Sequence, residues 1–171
     1  KFIGEESFGC VFDEFSNEVV ICGKKGSEAE KYASVCGLKF YDEEYAASDF
    51  YLDEYTKTLP NLKNGTTVSQ LKEAIEGASV TDKDGNELLD TDKIGTGYIV
   101  TIADGEDFVA VVLGDVDGDA RMNSVDYLQI KGSLCGVLSL ENEFSSAADM
   151  DKDGKITSID YMRIKNTLVS A

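Results

Sequence analysis

With 171 residues, 42% of them hydrophobic, the chain is long enough to form one ordinary domain or two to three small ones with packed cores. Its 33 acidic and 16 basic residues give a formal charge of -17, which argues against nucleic acid or an anionic membrane as a partner, because both require clustered lysine and arginine. The sequence has no histidine and no CxxC spacing among its four cysteines, so a zinc enzyme is not supported.

The two ends of the chain and its cysteines give further expectations. No apolar run approaches the ~20 residues of a membrane-spanning helix, so we expect no membrane insertion. The first residues show no signal-peptide pattern, and we expect the chain to begin inside a longer protein. Cys10, Cys22 and Cys36 leave two interpretations open: one disulfide, as in exported proteins, or small buried thiols.

Apolar periodicity and turn residues divide the chain into three segments, with boundaries near residues 46 and 112. In the first, residues 1–46, an apolar run at 19–22 precedes a glycine turn and a helix. Ser27 and Glu30 form a capping box at the start of this helix, and Gly37 suits its end. The side chains expected on its buried face are Ala29, Tyr32, Ala33 and Cys36. A single strand-turn-helix unit has one sheet face to bury, which indicates the end of something larger.

Small and aromatic residues of this first segment resemble the closing segment of BspA-like leucine-rich repeat domains. The likeness is carried by Gly23, Gly26, Ser27, Ala29, Glu30, Tyr32, Ala33, Gly37 and Phe40. It implies that residues 1–46 are the C-terminal cap of a leucine-rich repeat domain whose repeats lie upstream. No complete repeat period is visible in this chain, so an isolated α+β cap is the other interpretation.

The second segment, residues 47–111, is predicted to be a small α+β module. After Pro60, a helix begins at Thr67, and Gln70 closes its capping box. The buried stripe of this helix consists of Val68, Leu71 and Ile75. Strands are predicted near residues 79–81, 98–102 and 108–113, separated by Asp-Gly turns. No catalytic constellation is visible in this segment.

Two twelve-residue segments, 115–126 and 149–160, have the pattern of calcium-binding loops. Calcium takes ~6 to 8 oxygen ligands, which such a loop supplies from alternating side chains and one main-chain carbonyl. The predicted ligands are Asp115, Asp117, Asp119, Arg121, Asn123 and Asp126, then Asp149, Asp151, Asp153, Lys155, Thr157 and Asp160, with Arg121 and Lys155 contributing carbonyls. Because the aspartates of a loop repel one another without an ion, metal binding and folding there are expected to be one event. A similar run at 82–85 lacks ligands at the first and last positions and is predicted to be a hairpin turn.

Three positions depart from an ordinary calcium loop. Each loop ends in an aspartate rather than a glutamate, Asp126 and Asp160, which requires the following helix to lie closer to the metal. Asn123 and Thr157 can cap those helices, and we expect Thr157 to reach the ion through a water. Ala120 replaces the usual glycine at a position that often needs a positive φ.

The similarity of the two loops continues into the segments that follow them. Residues 126–131 and 160–165 read DYLQIK and DYMRIK. Two such loop-helix repeats, joined by a short connector around residues 141–147, resemble dockerin domains over residues 112–171. The resemblance implies an all-α module that holds two Ca2+ and binds a cohesin. In that context, residues 47–111 look like the X-like accessory modules that precede dockerins in cellulosomal proteins.

Each duplicated helix carries two apolar stripes. The stripe expected to pack the helices together is Tyr127, Ile130, Leu134, Tyr161, Ile164 and Leu168. The stripe expected to bind a partner is Ser124, Val125, Leu128 and Lys131 with Ser158, Ile159, Met162 and Lys165. The dockerin resemblance implies cohesin contact at these serines, lysines, Val125 and Ile159. The other interpretation is that Leu128 and Met162 pack against the preceding module or the connector.

We therefore expect an α+β, multi-module, non-enzymatic chain: a repeat-domain cap, a small α+β module and a dockerin. The dockerin resemblance implies the function that we expect, which is calcium-dependent binding to the cohesin of a scaffoldin that anchors the parent protein to a cellulosome-type scaffold. It also implies a location outside the cell of an anaerobic bacterium, at its surface or secreted. Apart from that complex we expect a monomer. The alternatives are a calcium sensor, whose groove would be Met-rich whereas this chain has three methionines, or a surface protein with ligand-binding leucine-rich repeats. An enzyme or enzyme inhibitor within residues 1–110 is also open, although no catalytic group can be assigned there.

Overall fold

A computed structural model describes residues 9–12, 19–42 and 48–170. The chain divides into two units, Lys1–Ser48 and Asp49–Ala171. Each unit combines a sheet with helices, so the predicted α+β class is confirmed, whereas the division into three modules stays a prediction. Among the described residues, no helix has the length and apolar character required to cross a bilayer.

In the first unit, the described residues form a three-stranded sheet and one helix. β1 (Gly9–Phe12) pairs antiparallel with β2 (Val19–Gly23), which pairs parallel with β3 (Lys39–Asp42), and α1 (Glu28–Cys36) connects β2 to β3. Ser27 accepts a hydrogen bond from the amide of Glu30, and Gly37 ends the helix with a φ of 66°, as the capping residues predict. The Glu30 carboxylate accepts from the amide of Gly26 rather than from that of Ser27.

The buried face of α1 is narrower than predicted. Ala29 and Ala33 are buried against Ile21, while Tyr32 and Cys36 are exposed. The helix lies close to β2, since a Cβ on Gly23 would be only 3.0 Å from the Ala29 Cβ. Such close packing admits a stripe of small side chains and leaves the larger ones beside it. Among the other cysteines, Cys22 is buried and Cys135 is an exposed thiol, and the side chain of Cys10 lies outside the described residues.

The second unit is built on a four-stranded sheet in the order β4-β7-β6-β5. The strands are β4 (Thr58–Leu62), β5 (Ser79–Thr81), β6 (Ile99–Thr101) and β7 (Asp107–Val112). β4 is parallel to β7, and the other pairs are antiparallel. The sequence predicted the last three strands but missed β4, because Pro60 argues against a strand. β4 tolerates Pro60 because it is an edge strand whose register shifts between Leu59 and Leu62.

One helix covers the core of this sheet. α2 (Val68–Ala74) begins with the predicted capping box, in which Thr67 Oγ1 accepts from the Gln70 amide and Gln70 Oε1 accepts from the Thr67 amide. Val68 and Leu71 are fully buried, with Ile75 packed beside them. Residues 82–85 form the predicted turn, in which Asp82 Oδ1 accepts from the amides of Asp84 and Asn86.

Three helices follow the sheet: α3 (Ser124–Leu134), α4 (Asn142–Ala148) and α5 (Ser158–Ser170). α3 and α5 pack through the fully buried Ile130 and Ile164, and the rings of Tyr127 and Tyr161 stack 4.7 Å apart. Leu134, predicted to share this contact, is exposed; Leu140, beyond the end of α3, packs against the cluster.

α4 occupies the position of the predicted connector. Ala147 and Ala148 are fully buried, and the helix packs against β7 and β4. The carbonyl of Ala147 accepts a hydrogen bond from the amide of Gly114 at 2.9 Å. The all-α region therefore contains a third helix that rests on the sheet.

Candidate metal centre and partner surface

The first acidic loop begins directly where the sheet ends. β7 stops at Val112, and Asp115 follows a turn in which Gly114 has a φ of 86°. The Asp115 side chain is fully buried, and both its oxygens accept hydrogen bonds from backbone amides. The donors are Gly118 (2.8 Å) and Asp119 (3.1 Å) to Oδ1, and Thr96 (2.8 Å) and Ala120 (3.2 Å) to Oδ2. This one carboxylate thus organises the backbone of the loop from within.

Asp126, the last residue of the first loop, joins the loop to α3. Its Oδ1 accepts from the amides of Val116 at 2.7 Å and Asp117 at 3.3 Å. Its Oδ2 accepts from the amide of Asn123 at 2.8 Å, and Asn123 Oδ1 accepts from the amide of Val125, which completes a capping box. The capping role predicted for Asn123 is confirmed, and the negative charge of Asp126 is favourable at this helix start.

The second loop has the same plan with fewer contacts. The hydrogen bonds run from Asp153 N (3.1 Å) and Gly154 N (2.7 Å) to Asp149, and from Asp151 N (3.2 Å) and Thr157 N (2.7 Å) to Asp160. Thr157 Oγ1 accepts from the amide of Ile159, so this side chain caps α5 as predicted. Asp160 is fully buried, whereas Asp149 is half-buried.

The structure brings together two sets of three carboxylates. Within each set, one oxygen per residue lies within 4.8 Å of the others; the sets are Asp115, Asp117 and Asp126, and Asp149, Asp151 and Asp153. Asp119 lies beside the first set and accepts from the amide of Arg121 at 2.9 Å. Asp160 adjoins the second set through the Asp151 amide. The side chains of Arg121 and Lys155 are exposed, and the roles predicted for their carbonyls stay predictions.

Both loops contain two residues with a left-handed backbone, at their fourth and sixth positions. In the first loop these are Gly118 (φ 69°) and Ala120 (φ 64°), and in the second they are Lys152 (φ 61°) and Gly154 (φ 83°). The positive φ anticipated for Ala120 is present, and a side chain there carries a steric cost. The two loops thus share one backbone shape, but glycine occupies the fourth position in the first loop and the sixth position in the second.

The acidic sets fit a hard cation such as calcium. Asp151 Oδ1 is buried and has no hydrogen-bond partner among the described residues, although buried polar atoms are normally paired. Within residues 9–12, 19–42 and 48–170, every salt bridge lies outside the two loops. Clustered carboxylate oxygens without a cationic side chain are the donor set that calcium prefers.

Burial makes the charged form of these carboxylates costly in the metal-free protein. The pKa of Asp115 is raised to about 6, mainly by desolvation and also by the charge of the neighbouring Asp126, while amide donors such as Thr96 oppose the shift. The pKa of Asp117 is also raised, first by burial and then by the charges of Asp126 and Asp119. A bound cation would reverse these effects by stabilising the charged carboxylates.

The raised pKa of Asp115 predicts how pH affects the metal-free protein. The folded state holds this proton up to about pH 6, whereas an unfolded chain releases it near pH 4. The stabilisation is therefore complete below the unfolded pKa and is lost as pH rises through the folded one. Thermal unfolding in calcium-free buffer should show a higher midpoint at pH 5 than at pH 7. With calcium added, the apparent affinity should instead rise with pH.

Asp115→Asn is the control for this prediction. An amide cannot titrate, so the variant should lose part of the pH dependence in calcium-free buffer. Equal midpoint differences between pH 5 and pH 7 in the variant and the unaltered chain would show that Asp115 does not carry the effect.

The predicted partner-binding residues form matched exposed patches on α3 and α5. Val125 and Leu128 are 47% and 59% exposed, and Ile159 and Met162 are 52% and 47% exposed. Ser124, Lys131, Ser158 and Lys165 are also exposed. Leu128 and Met162 are therefore exposed in the structure, and the interpretation in which they pack against neighbouring segments is wrong.

The sequence did not point to the residues upstream of the dockerin-like repeats that contact the two loops. Thr96 donates its amide to Asp115, Lys83 donates to the carbonyl of Asp117 at 2.9 Å, and Lys152 of the second loop donates to Asn61 at 2.5 Å. These contacts join residues far apart in the chain, and the donor from Thr96 is a backbone group. A sequence pattern carries no signal for them.

These features define a small helical module of two acidic loop-helix repeats that present equivalent apolar faces. Residues 113–169 match the family model of the dockerin type I domain, so this part of the chain is a dockerin domain. Dockerin domains are non-catalytic modules that bind calcium and associate with cohesins in a calcium-dependent manner. No curated protein and no solved structure matches the chain.

Proposed function

We propose that this chain attaches its parent protein to a cellulosome-type scaffold, with the dockerin domain binding a cohesin of the scaffoldin. The observation that carries the proposal is the pair of matched apolar patches on α3 and α5, each beginning at the end of an acidic loop. Exposed apolar surface edged by polar groups is typical of protein interfaces. The proposed location is outside the cell, either secreted or on the cell surface.

Two calcium ions would fix the patches in place. The proposed ligands are the twelve loop positions predicted from the sequence, with the two carboxylate sets at their centre. Calcium supplies the positive charge that lets the buried aspartates remain ionised beside one another. Since Asp126 and Asp160 also accept amides at the starts of α3 and α5, an ion held by either aspartate would fix the start of the helix that carries the patch.

The two patches are proposed to offer alternative ways of binding one cohesin. Tyr127 and Tyr161 stack where α3 and α5 meet, and corresponding residues of the two helices are exposed to similar extents. Gln129 on α3 corresponds to Arg163 on α5, so the two orientations would not be identical in energy. Lys131 and Lys165 stand at matching positions and favour an acidic rim on the cohesin.

The upstream segments are proposed to have non-catalytic roles. Residues 1–46 would close a leucine-rich repeat domain, and residues 47–111 would act as an X-like accessory module. The sheet contacts to both acidic loops support a stabilising role for the second of these.

Calorimetry against a panel of cohesins, with calcium and with EDTA, tests the proposed function. We expect at least one cohesin to bind the full chain in calcium and none to bind in EDTA, because the loops lose their charge balance without the ion. Restoring calcium in excess of EDTA should restore binding. Failure of every cohesin in calcium, or equal binding in EDTA, would refute the proposal.

A further inference from the structure

A backbone amide from the turn that precedes β6 reaches into the first acidic loop. Thr96 N donates to Asp115 Oδ2 at 2.8 Å, and both residues are fully buried. Thr96 lies between the buried Ile94 and β6, within the part of the chain predicted as a separate module. Asp115 therefore takes one of its four amide donors from outside its own loop.

The Thr96 donor is held rigidly by the sheet. Its Oγ1 accepts from the amide of Val112 at 3.0 Å and donates to the carbonyl of Val112 at 3.2 Å. On one side Gly97 donates to the carbonyl of Ala110, and on the other side Ile94 donates to the carbonyl of Thr66. The donor and the end of β7, from which the loop departs, thus move as one body.

The backbone of the first loop lies directly against residues 95–97. A Cβ on Gly118 would clash with the Thr96 carbonyl oxygen, and one on Gly95 would be 3.0 Å from the Ala120 amide nitrogen. A backbone oxygen cannot move aside as a flexible side chain can, so Gly118 has no room for a side chain. Lys83, from the turn after β5, closes the contact by donating to the Asp117 carbonyl.

The second loop shows that this glycine is not required by loop geometry alone. Lys152 occupies the position equivalent to Gly118 with nearly the same φ, 61° against 69°. Asp149 accepts only from amides of its own loop among the described residues. What distinguishes Gly118 is its contact with Thr96, not its backbone conformation.

We propose that residues 95–97 are a positioning element of the first calcium site, so that calcium in this loop stabilises the sheet and the sheet strengthens calcium binding in return. The inference rests on the proposed occupancy of the loop by calcium. Groups that orient metal ligands typically change metal affinity about 10- to 100-fold when lost. By thermodynamic linkage, the calcium-induced gain in sheet stability has the same factor as the sheet-induced gain in affinity.

Gly118→Ala in the full chain tests the inference, with Gly154→Ala as the matched control. Both glycines have a positive φ, but a Cβ on Gly154 meets nothing within 4 Å. Calcium calorimetry of Gly118→Ala should show one site weakened about tenfold or more, whereas Gly154→Ala should show only the smaller cost of the strained φ at the other site. Equal weakening by the two variants would overturn the inference.

Amide hydrogen exchange gives a second measurement that does not depend on any variant folding. In the unaltered chain, calcium should slow exchange at the amides of Thr96 and Val112 about tenfold or more. Thr96→Val, which lacks the hydroxyl that holds the amide, should reduce this slowing, and Thr96→Ser should retain it. If calcium fills both sites yet leaves these amides unchanged, the inference is wrong. If calorimetry detects no calcium binding at all, the proposed function is refuted instead.

Discussion

Asp126→Ala is expected to destabilise the dockerin domain strongly and to abolish calcium binding in the first loop. The substitution removes a proposed ligand and leaves the amides of Val116, Asp117 and Asn123 without their acceptor. Each buried donor left unpaired costs ~1 to 3 kcal/mol. In calcium, chemical denaturation should show a loss of about 3 kcal/mol or more in the free energy of unfolding.

Asp126→Asn separates the two roles of this residue. Asparagine retains one oxygen, which can accept from the amides of Val116 and Asp117, but it leaves the Asn123 amide without its acceptor and has no charge for the metal. Because relief of the repulsion between Asp126 and Asp115 offsets part of this loss, Asp126→Asn should lose less stability in EDTA than Asp126→Ala does. Both variants should lose the gain in stability that calcium gives the unaltered chain. If Asp126→Ala kept full calcium stoichiometry and stability, the proposed first site would be wrong.

Placing a charge on both apolar patches is expected to abolish cohesin binding, whereas charging one patch should have little effect. With two usable orientations, Val125→Asp or Ile159→Asp leaves one patch intact, and the loss of one of two similar modes reduces affinity only about twofold. The double variant has no intact patch, and a desolvated carboxylate at the centre of an interface should weaken binding ~30-fold or more. Calorimetry with the cohesin that binds the unaltered chain measures both effects.

Val169→Asp is the control for surface charge on the same helix. Val169 lies on α5 and is 80% exposed, outside the proposed patches. The Val169→Asp variant should bind the cohesin as tightly as the unaltered chain does. The circular dichroism spectra of all these variants should match that of the unaltered chain. Should either single variant alone lose binding, only one orientation is used; should the double variant retain it, the patches are not the interface.

The local features of this chain could be predicted because neighbouring residues produce them. The capping boxes of α2 and α3, and the turn at 82–85, depend on side chains a few residues apart. The repeated aspartates likewise predict two carboxylate clusters, because a twelve-residue loop can close on itself without help from elsewhere. The exposed patches follow from the same duplication, since the buried stripe of each helix fixes which side chains remain outside.

Other features depended on contacts between distant segments. Pro60 reads as a strand breaker until β4 is known to be an edge strand. α4 has a weak local signal and no side-chain cap at its start. The helix packs against a sheet that the sequence placed in another module, while its Ala148 joins the cluster of Ile130 and Ile164. Leu134 leaves the predicted helix contact because the chain beyond α3 brings Leu140 into it.

The acidic loops and the helices that follow them could be predicted from local sequence, because each depends on residues within one or two turns of one another. How the first loop is held depends instead on contacts between distant segments. The Thr96 amide reaches Asp115 only after β7 has paired within its sheet. A glycine is needed at position 118 because the Thr96 carbonyl then leaves no room for a side chain. Backbone donors and close approaches have no residue signature, so folding alone reveals them.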